Sequence, residues 1–164
     1  MFSACASDSV RRVGALLRSN PKLVNCRKAP LHETPLHCAA TLASTEMVNL
    51  LIRQGANLQA VNSDNETPLM YAVQAGRADT AQALMAAGSD PNVADRNHNP
   101  PLFFALMIGD CKLVRLLVDG GADVNARLDS AGLFHPLDLA LVRHEKNVAE
   151  YLRKHGARTH PLNR

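Results

Sequence analysis

The sequence contains no tryptophan, and aromatic residues make up only 4% of its 164 residues. Side chains that could stack on bases are therefore scarce, and the formal net charge of +3 is too small to favour nucleic-acid binding. The sequence also lacks any run near the roughly 18 consecutive apolar residues that a membrane-spanning helix requires. Its first residues have neither the basic nor the apolar segment of a secretory signal peptide. We therefore expect neither a nucleic-acid partner nor a membrane association.

Patterns that would indicate catalysis or metal binding are missing as well. The four cysteines and seven histidines never fall into the paired spacing of a zinc site. Neither a G-x-G-x-x-G loop nor a phosphate-binding P-loop motif occurs. Scattered cysteines without a dense framework favour reduced thiols in the cytoplasm, or alternatively the nucleus. We expect no metal, no cofactor and no enzymatic activity.

What the sequence does contain is a pattern that returns at a fixed interval. The triplets Thr34-Pro35-Leu36, Thr67-Pro68-Leu69 and Pro100-Pro101-Leu102 follow one another every 33 residues. A glycine keeps the same interval at Gly55, Gly88 and Gly121. Two independent markers in one register predict a repeat array, in which each repeat buries its apolar residues against its neighbours.

Each repeat reads as two short helices. Thr34 can cap a first helix that runs from about Pro35 to Leu42, since proline is well suited to the first helical position. Met47, Val48, Leu51 and Ile52 have the spacing of a buried stripe on a second helix. The repeated glycine is expected to end that helix in a left-handed conformation, and Asn20 takes its place in the first repeat. Gly76 and Gly109 mark the turn between the two helices.

The hexapeptide from Thr34 to Ala39 matches the T-P-L-H-x-A motif, and with the 33-residue period it makes the chain resemble the ankyrin-repeat family. The resemblance implies an all-α solenoid of stacked antiparallel helix pairs joined by projecting β-hairpin loops, here called fingers. It also implies that His37 hydrogen-bonds backbone in a neighbouring loop. Cys38 and Cys111 are then expected to be buried small apolar residues, and Asp8, Ser9 and His37 are not expected to form a catalytic triad.

The register predicts a single ankyrin-repeat domain over residues 1–164. Its repeats are a truncated first one at 1–28, three full ones at 29–61, 62–94 and 95–127, and a modified capping repeat at 128–164. The last interval is 35 residues, and its two extra residues belong to the finger between Leu128 and Phe134. Arg153 stands where Ile52, Met85 and Val118 would face a following repeat, which favours a terminal cap and a complete small protein.

Ankyrin repeats usually bind through the outward face of the first helices and the finger tips, and the resemblance implies the same here. The expected groove residues are Leu42, Gln74, Phe103, Met107, Ile108, Val142 and Arg143, beside Thr41 and Ala75. The expected finger residues are Leu31, Glu33, Asp64, Glu66, Arg96, Asn97, Leu133 and Phe134. Exposed apolar side chains in such a strip suggest an interface. Two alternatives stay open: Met107 and Ile108 could pack on neighbouring helices, and the finger charges could simply be solvated.

The function that follows is a non-catalytic adaptor or scaffold that binds another protein through the concave groove and the fingers, and that is monomeric when free. An alternative is an inhibitor that occludes a client enzyme such as a kinase. A third is a structural module within a homo-oligomer. The sequence does not name the partner, because repeat scaffolds vary their exposed residues while keeping the stacking residues.

Overall fold

The computed structural model describes residues 1–128 and 134–160 of the chain. The chain divides into two compact units, Met1–Asp90 (unit 1) and Pro91–Arg164 (unit 2), which are described separately. The described residues form ten α-helices, one short 3-10 helix and no strand longer than an isolated bridge. The predicted all-α repeat solenoid is therefore confirmed. The assignment of 1–164 to one domain with the repeat boundaries given above stays a prediction.

Unit 1 contains three helix pairs. Their bounds are α1 Phe2–Ala6, α2 Val10–Ser19, α3 Pro35–Leu42, α4 Thr45–Arg53, α5 Pro68–Gln74 and α6 Ala78–Ala86, with the 3-10 helix at Pro21–Asn25. α3 packs between α1 and α5, and α4 packs against α6. First helices therefore stack on first helices and second helices on second helices. The first helix of the truncated first repeat is α1, which has only 5 residues.

Unit 2 contains two helix pairs. They are α7 Pro101–Ile108 with α8 Cys111–Asp119, and α9 Pro136–Val142 with α10 Lys146–Lys154. α7 packs on α9 and α8 on α10, as in unit 1. The finger before α9 is closed by an antiparallel bridge between Leu128 and Phe134, and the finger before α3 by one between Lys28 and Glu33.

The core of each unit consists of aliphatic side chains from facing helices. Among the described residues, the fully buried leucines are Leu17, Leu36, Leu51, Leu69 and Leu84 in unit 1 and Leu102, Leu106, Leu113, Leu117, Leu128 and Leu152 in unit 2. Ala39, Ala72, Ala105 and Ala140, the small residues of the first helices, are fully buried as well. Small residues at these positions let the paired helices approach closely, so the repeat register also sets the helix spacing.

The helix boundaries follow the predicted signals, with one exception. α3 has the predicted bounds, and Gly55 has a φ of +82°, which confirms the left-handed helix end. Asn20 does not adopt this conformation, since its φ is −148°. The prediction for Asn20 was therefore wrong. Pro21 follows it, and a residue before proline is restricted to extended backbone.

A side-chain amide ties successive repeats together within each unit. In unit 1, Asn25 Nδ2 donates to the carbonyl of Gly55 at 3.1 Å, and its Oδ1 accepts from the backbone N–H of Asn57 at 2.8 Å. In unit 2, Asn92 makes the same pair of bonds, donating to the carbonyl of Gly121 at 3.0 Å. The glycine that ends each second helix thereby offers its carbonyl to the repeat before it.

Candidate protein-binding surface

Four large apolar side chains are exposed at the carboxyl ends of the first helices of unit 2. Met107 and Ile108 of α7 are 46% and 47% exposed, and Leu141 and Val142 of α9 are 38% and 65% exposed. We call these four residues the apolar strip of unit 2. About half of each of the Met107 and Ile108 side chains is therefore accessible, and neighbouring helices cover the rest only in part.

The strip arises because α7 is apolar on all sides. Its sequence, PLFFALMI, has no polar residue. Leu102, Ala105 and Leu106 occupy the buried face at the spacing of one helical stripe. Met107 and Ile108 follow on the part of the helix that faces away from the core. A helix that needed only to be soluble would carry polar residues there, so two exposed apolar side chains side by side indicate a contact surface.

Leu141 was not predicted as a site residue. It is equivalent to Leu106 across the 35-residue interval, and Leu106 is fully buried. The repeat register therefore assigns Leu141 to the core, and no other signal in the sequence contradicts that assignment. Among the described residues no helix packs on the far side of α9, which leaves Leu141 partly exposed.

A polar edge borders the apolar strip of unit 2. The Nε of Arg143 donates to Glu145 Oε1 at 3.0 Å in a partly exposed ion pair. Both side chains lie close to Gly109, whose φ of +78° makes the turn after α7. A Cβ added at Gly109 would lie 3.1 Å from the Glu145 carboxylate. The turn after α7 and the ion pair therefore lie against each other.

Phe103, predicted as a groove residue, is half-buried in the first turns of α7. Its ring meets the ring of Phe104 edge to face, with 5.3 Å between the ring centres. Phe103 replaces the motif histidine, and so does Met70 in unit 1. Met70 is fully buried, and its sulfur accepts from the N–H of Thr67 at 3.4 Å. Met70 therefore serves the core, while Phe103 keeps part of its ring accessible.

Unit 1 has a different first-helix face. Leu42, at the end of α3, is 60% exposed. Thr41 beside it donates its hydroxyl to the carbonyl of His37 at 3.4 Å. Gln74 and Ala75 are exposed at the equivalent point of α5. Leu42 is thus the one large apolar side chain that the described first helices of unit 1 expose.

The acidic residues of the unit 1 fingers take part in a hydrogen-bond network. The hydroxyl of Tyr71 donates to Glu33 Oε1 at 2.7 Å, and Asn62 Nδ2 donates to the same hydroxyl at 3.0 Å. Asn62 Nδ2 also donates to Glu66 Oε2 at 2.9 Å, and Gln74 Nε2 donates to Glu66 Oε1 at 2.8 Å. Burial and the bond to Glu33 raise the pKa of Tyr71, so its hydroxyl stays protonated as a donor. The network holds two fingers to α5.

Finger tips in both units remain accessible. Leu31 is 41% exposed, while its carbonyl accepts from the N–H of Ser63 at 2.9 Å. Asp64 is half-buried, and its N–H donates to Asn62 Oδ1 at 2.9 Å. In unit 2, Arg96, Asn97 and Phe134 are exposed. Leu133 lies outside the described residues.

His37 has the structural role that the resemblance implies. Its Nδ1 accepts from the backbone N–H of Thr34 at 3.1 Å and pairs with the Thr34 hydroxyl at 2.8 Å. Its Nε2 lies 3.0 Å from the carbonyl of Glu66 in the neighbouring finger. Burial lowers the pKa of His37, which keeps the ring neutral. Both ring nitrogens are engaged, so none is available to a substrate.

Asp8 and Ser9 are not joined to His37 in a triad. The carboxylate of Asp8 accepts instead from the N–H and the hydroxyl of Ser44, at 3.0 and 2.9 Å. Among the described residues, no group of three or more histidine, cysteine, aspartate or glutamate side chains could hold a metal ion. His37 and Asp8 thus have separate hydrogen-bond partners, Thr34 and Glu66 for the one and Ser44 for the other.

The four thiols differ in exposure. Burial raises the pKa of Cys5 to about 12, and burial also raises the pKa of the half-buried Cys26 and Cys38. Cys111 is exposed, so the prediction that it is a buried apolar residue was wrong. Cys111 is the first residue of α8 and follows Asp110, whose side chain caps the helix. It lies on the exposed side of this first turn, beside the exposed Lys112.

None of the described helices is long and apolar enough to cross a membrane.

Comparison with known proteins places the chain in a family. A family profile described as "Ankyrin repeats (3 copies)" matches residues 1–95 and again residues 83–162. Ankyrin repeat and SOCS box protein 5 from rabbit and from mouse is 38% identical over 64 residues, and the human protein is 36% identical over the same length. Each match covers 39% of this chain and 18% of the relative. The profile, the motif at Thr34 to Ala39 and the stacked helix pairs agree, and the chain belongs to the ankyrin-repeat family.

Proposed function

We propose that this chain is a non-catalytic adaptor that binds another protein through the exposed faces of its first helices and through its fingers. Ankyrin repeats generally mediate protein–protein interaction, which supports a protein partner. The observation that carries the finer proposal is the apolar strip of unit 2, made of Met107, Ile108, Leu141 and Val142. A few well-packed side chains near the centre of an interface usually supply most of its binding energy.

The surroundings of the strip support this function. Arg143 and Glu145 form a polar rim at one side, and the half-buried ring of Phe103 extends the apolar area along α7. An apolar centre with a polar rim is the common anatomy of protein interfaces. In unit 1, the exposed Leu42 offers a smaller contact, and Leu31 offers another on a finger. Glu33 Oε1 and both carboxylate oxygens of Glu66 accept hydrogen bonds in the Tyr71 network, so we assign these two residues to supporting the fingers as well as to contact.

The test is a double variant, Met107→Glu with Val142→Glu, compared with the single variant Leu42→Glu. Affinity purification with quantitative mass spectrometry first finds the proteins that the wild-type chain captures. Titration calorimetry with the purified partner then measures the affinities. Two lost apolar anchors should weaken binding by about a hundredfold, on the basis of roughly 1.4 kcal/mol for each anchor. Leu42→Glu should weaken it less.

The matched control is Gln54→Glu with Gln82→Glu, which adds the same two charges at exposed positions outside the proposed surface, one directly after α4 and one on α6. It should bind like the wild type, and all variants should keep their circular dichroism and melting temperature. Undiminished binding by a folded Met107/Val142 variant would refute the role of the strip. Loss of a client enzyme's activity when the chain is added would replace the adaptor with the inhibitor.

A further inference from the structure

The second helices of unit 2 enclose a cleft that belongs to no surface described above. It lies between α8 and α10 and has a volume of about 450 Å³. Val114 of α8 and Val148 of α10, both buried, line it together with Arg115, Tyr151 and Lys154. This volume is within the range of sites that take up small molecules, and such sites combine an apolar lining with a few placed polar groups.

Arg115 is held in place at the cleft. The carbon at the centre of its guanidinium lies 4.4 Å from the middle of the Tyr151 ring. The ring itself is fixed, because the Tyr151 hydroxyl donates to Asp119 one turn further along α8. Desolvation and this hydrogen bond raise the pKa of Tyr151 to about 12, so the hydroxyl keeps its proton at neutral pH. Stacking on a fixed ring reduces the number of positions that the guanidinium can take.

The other charged groups at the cleft have partners of their own. Lys154 Nζ pairs with Glu150 Oε1 at 3.0 Å. His155 Nε2 lies 3.7 Å from Asp119, and its Nδ1 lies 2.9 Å from the carbonyl of Tyr151.

Arg115 stands apart from these pairs. Within the part of the chain that the structure describes, its guanidinium contacts the Tyr151 ring but has no hydrogen-bond acceptor. Among the residues that line the cleft, Lys154 and Glu150 offset each other, so Arg115 supplies the remaining positive charge and several free N–H donors. The Asp119 carboxylate lies outside this lining and already accepts from the Tyr151 hydroxyl.

We propose that this cleft binds a small organic carboxylate. The two carboxylate oxygens accept paired hydrogen bonds from the guanidinium of Arg115, whose planar fork matches a carboxylate. The apolar body of the ligand lies against Val114 and Val148. A single unpaired positive charge suits a monoanion, and the apolar lining favours a ligand with a hydrocarbon part over a bare ion. The site lies on the second helices, so it is separate from the protein-binding surface on the first helices of the same unit.

The experiment is a titration of the ¹⁵N-labelled chain followed by NMR, with three probes at equal ionic strength. Phenylacetate has both the charge and the apolar ring, acetate has only the charge, and phenylacetamide has only the ring. We expect phenylacetate to cause saturable shifts in α8, in α10 and in the side-chain Nε–H of Arg115. Both other probes should bind about tenfold more weakly or worse, as expected for the loss of a charge-assisted hydrogen bond or of the apolar contact. Equal shifts from all three probes, or none from phenylacetate, would overturn the proposal.

Variants show whether Arg115 is responsible. Arg115→Gln should lower the affinity for phenylacetate by about tenfold or more, because it removes the charge and the fork. Arg153→Gln removes the same charge from an exposed position of α10 outside the lining, and should bind like the wild type. If Arg115→Gln does not fold, Arg115→Lys keeps the charge without the planar fork and should also bind more weakly. Unchanged affinity in the folded Arg115 variant would contradict the proposal.

Discussion

Replacing a leucine between stacked second helices tests the packing of unit 1 directly. Leu51 of α4 and Leu84 of α6 are fully buried, and α4 packs against α6. Leu51→Ala removes three side-chain carbons from the buried core and leaves a cavity. Burial of a leucine side chain contributes about 2 kcal/mol, and the cavity raises the total cost to about 3 to 4 kcal/mol in the free energy of unfolding. Leu84→Ala should cost a similar amount.

Leu42→Ala is the matched control, since it makes the same substitution in the same unit at a side chain that is 60% exposed. It should cost about 0.5 kcal/mol, because most of the leucine is already in water. Urea denaturation followed by far-ultraviolet circular dichroism measures all three variants, and a difference of about 3 kcal/mol is well above the error of the extrapolation. If Leu51→Ala cost no more than Leu42→Ala, the placement of Leu51 between stacked helices would be wrong.

Two further predictions concern pH and glycine. Burial holds the pKa of His37 below its ordinary 6.5, so the folded state prefers the neutral ring. The stability that His37 contributes is therefore complete above pH 6.5 and is lost as the pH falls through the lowered pKa of the folded state. The urea midpoint, measured as the pH is lowered from above 6.5, should therefore fall less steeply in His37→Gln than in the wild type. An equal fall in both proteins would contradict the buried, neutral state of His37. Gly14→Ala, inside α2 with only the Arg18 side chain nearby at 3.6 Å, should stabilise the chain by about 0.5 to 1 kcal/mol. Gly55→Ala should instead destabilise the chain by about 1 kcal/mol, because the φ of Gly55 is +82° and alanine rarely adopts that backbone conformation. Thermal melts in which Gly55→Ala were the more stable of the two variants would refute this explanation.

Much of the local structure follows from short-range chemistry that the sequence shows openly. Pro35 after Thr34 starts a helix, and Gly55 ends one, because these residues have backbone preferences that depend little on distant contacts. The extended conformation of Asn20 also follows from a short-range effect, because Pro21 restricts the backbone of the residue before it. The one helix whose bounds were predicted, Pro35–Leu42, has those bounds in the structure as α3.

The candidate site could be predicted in part. The exposure of Met107, Ile108 and Val142 follows from counting helical positions from the repeat register. Leu141 could not be found in this way, because its repeat equivalent, Leu106, is buried. The network around Tyr71 joins Glu33 to a residue 38 positions away, and no spacing rule connects two such residues. Contacts of this kind depend on how the fingers fold onto the helices.

The sequence alone determined the repeat period, the helix pairs, the left-handed glycines and the family, because each of these rests on interactions between residues close together in the chain or on a recurring pattern. Only the tertiary structure decided that Leu141 stays exposed, how the finger carboxylates are bonded, and that Arg115 lies on Tyr151 beside a cleft. The physical reason is that exposure and side-chain pairing are set by which surfaces meet. Two residues with equivalent positions in the repeat can therefore differ as Leu106 and Leu141 do.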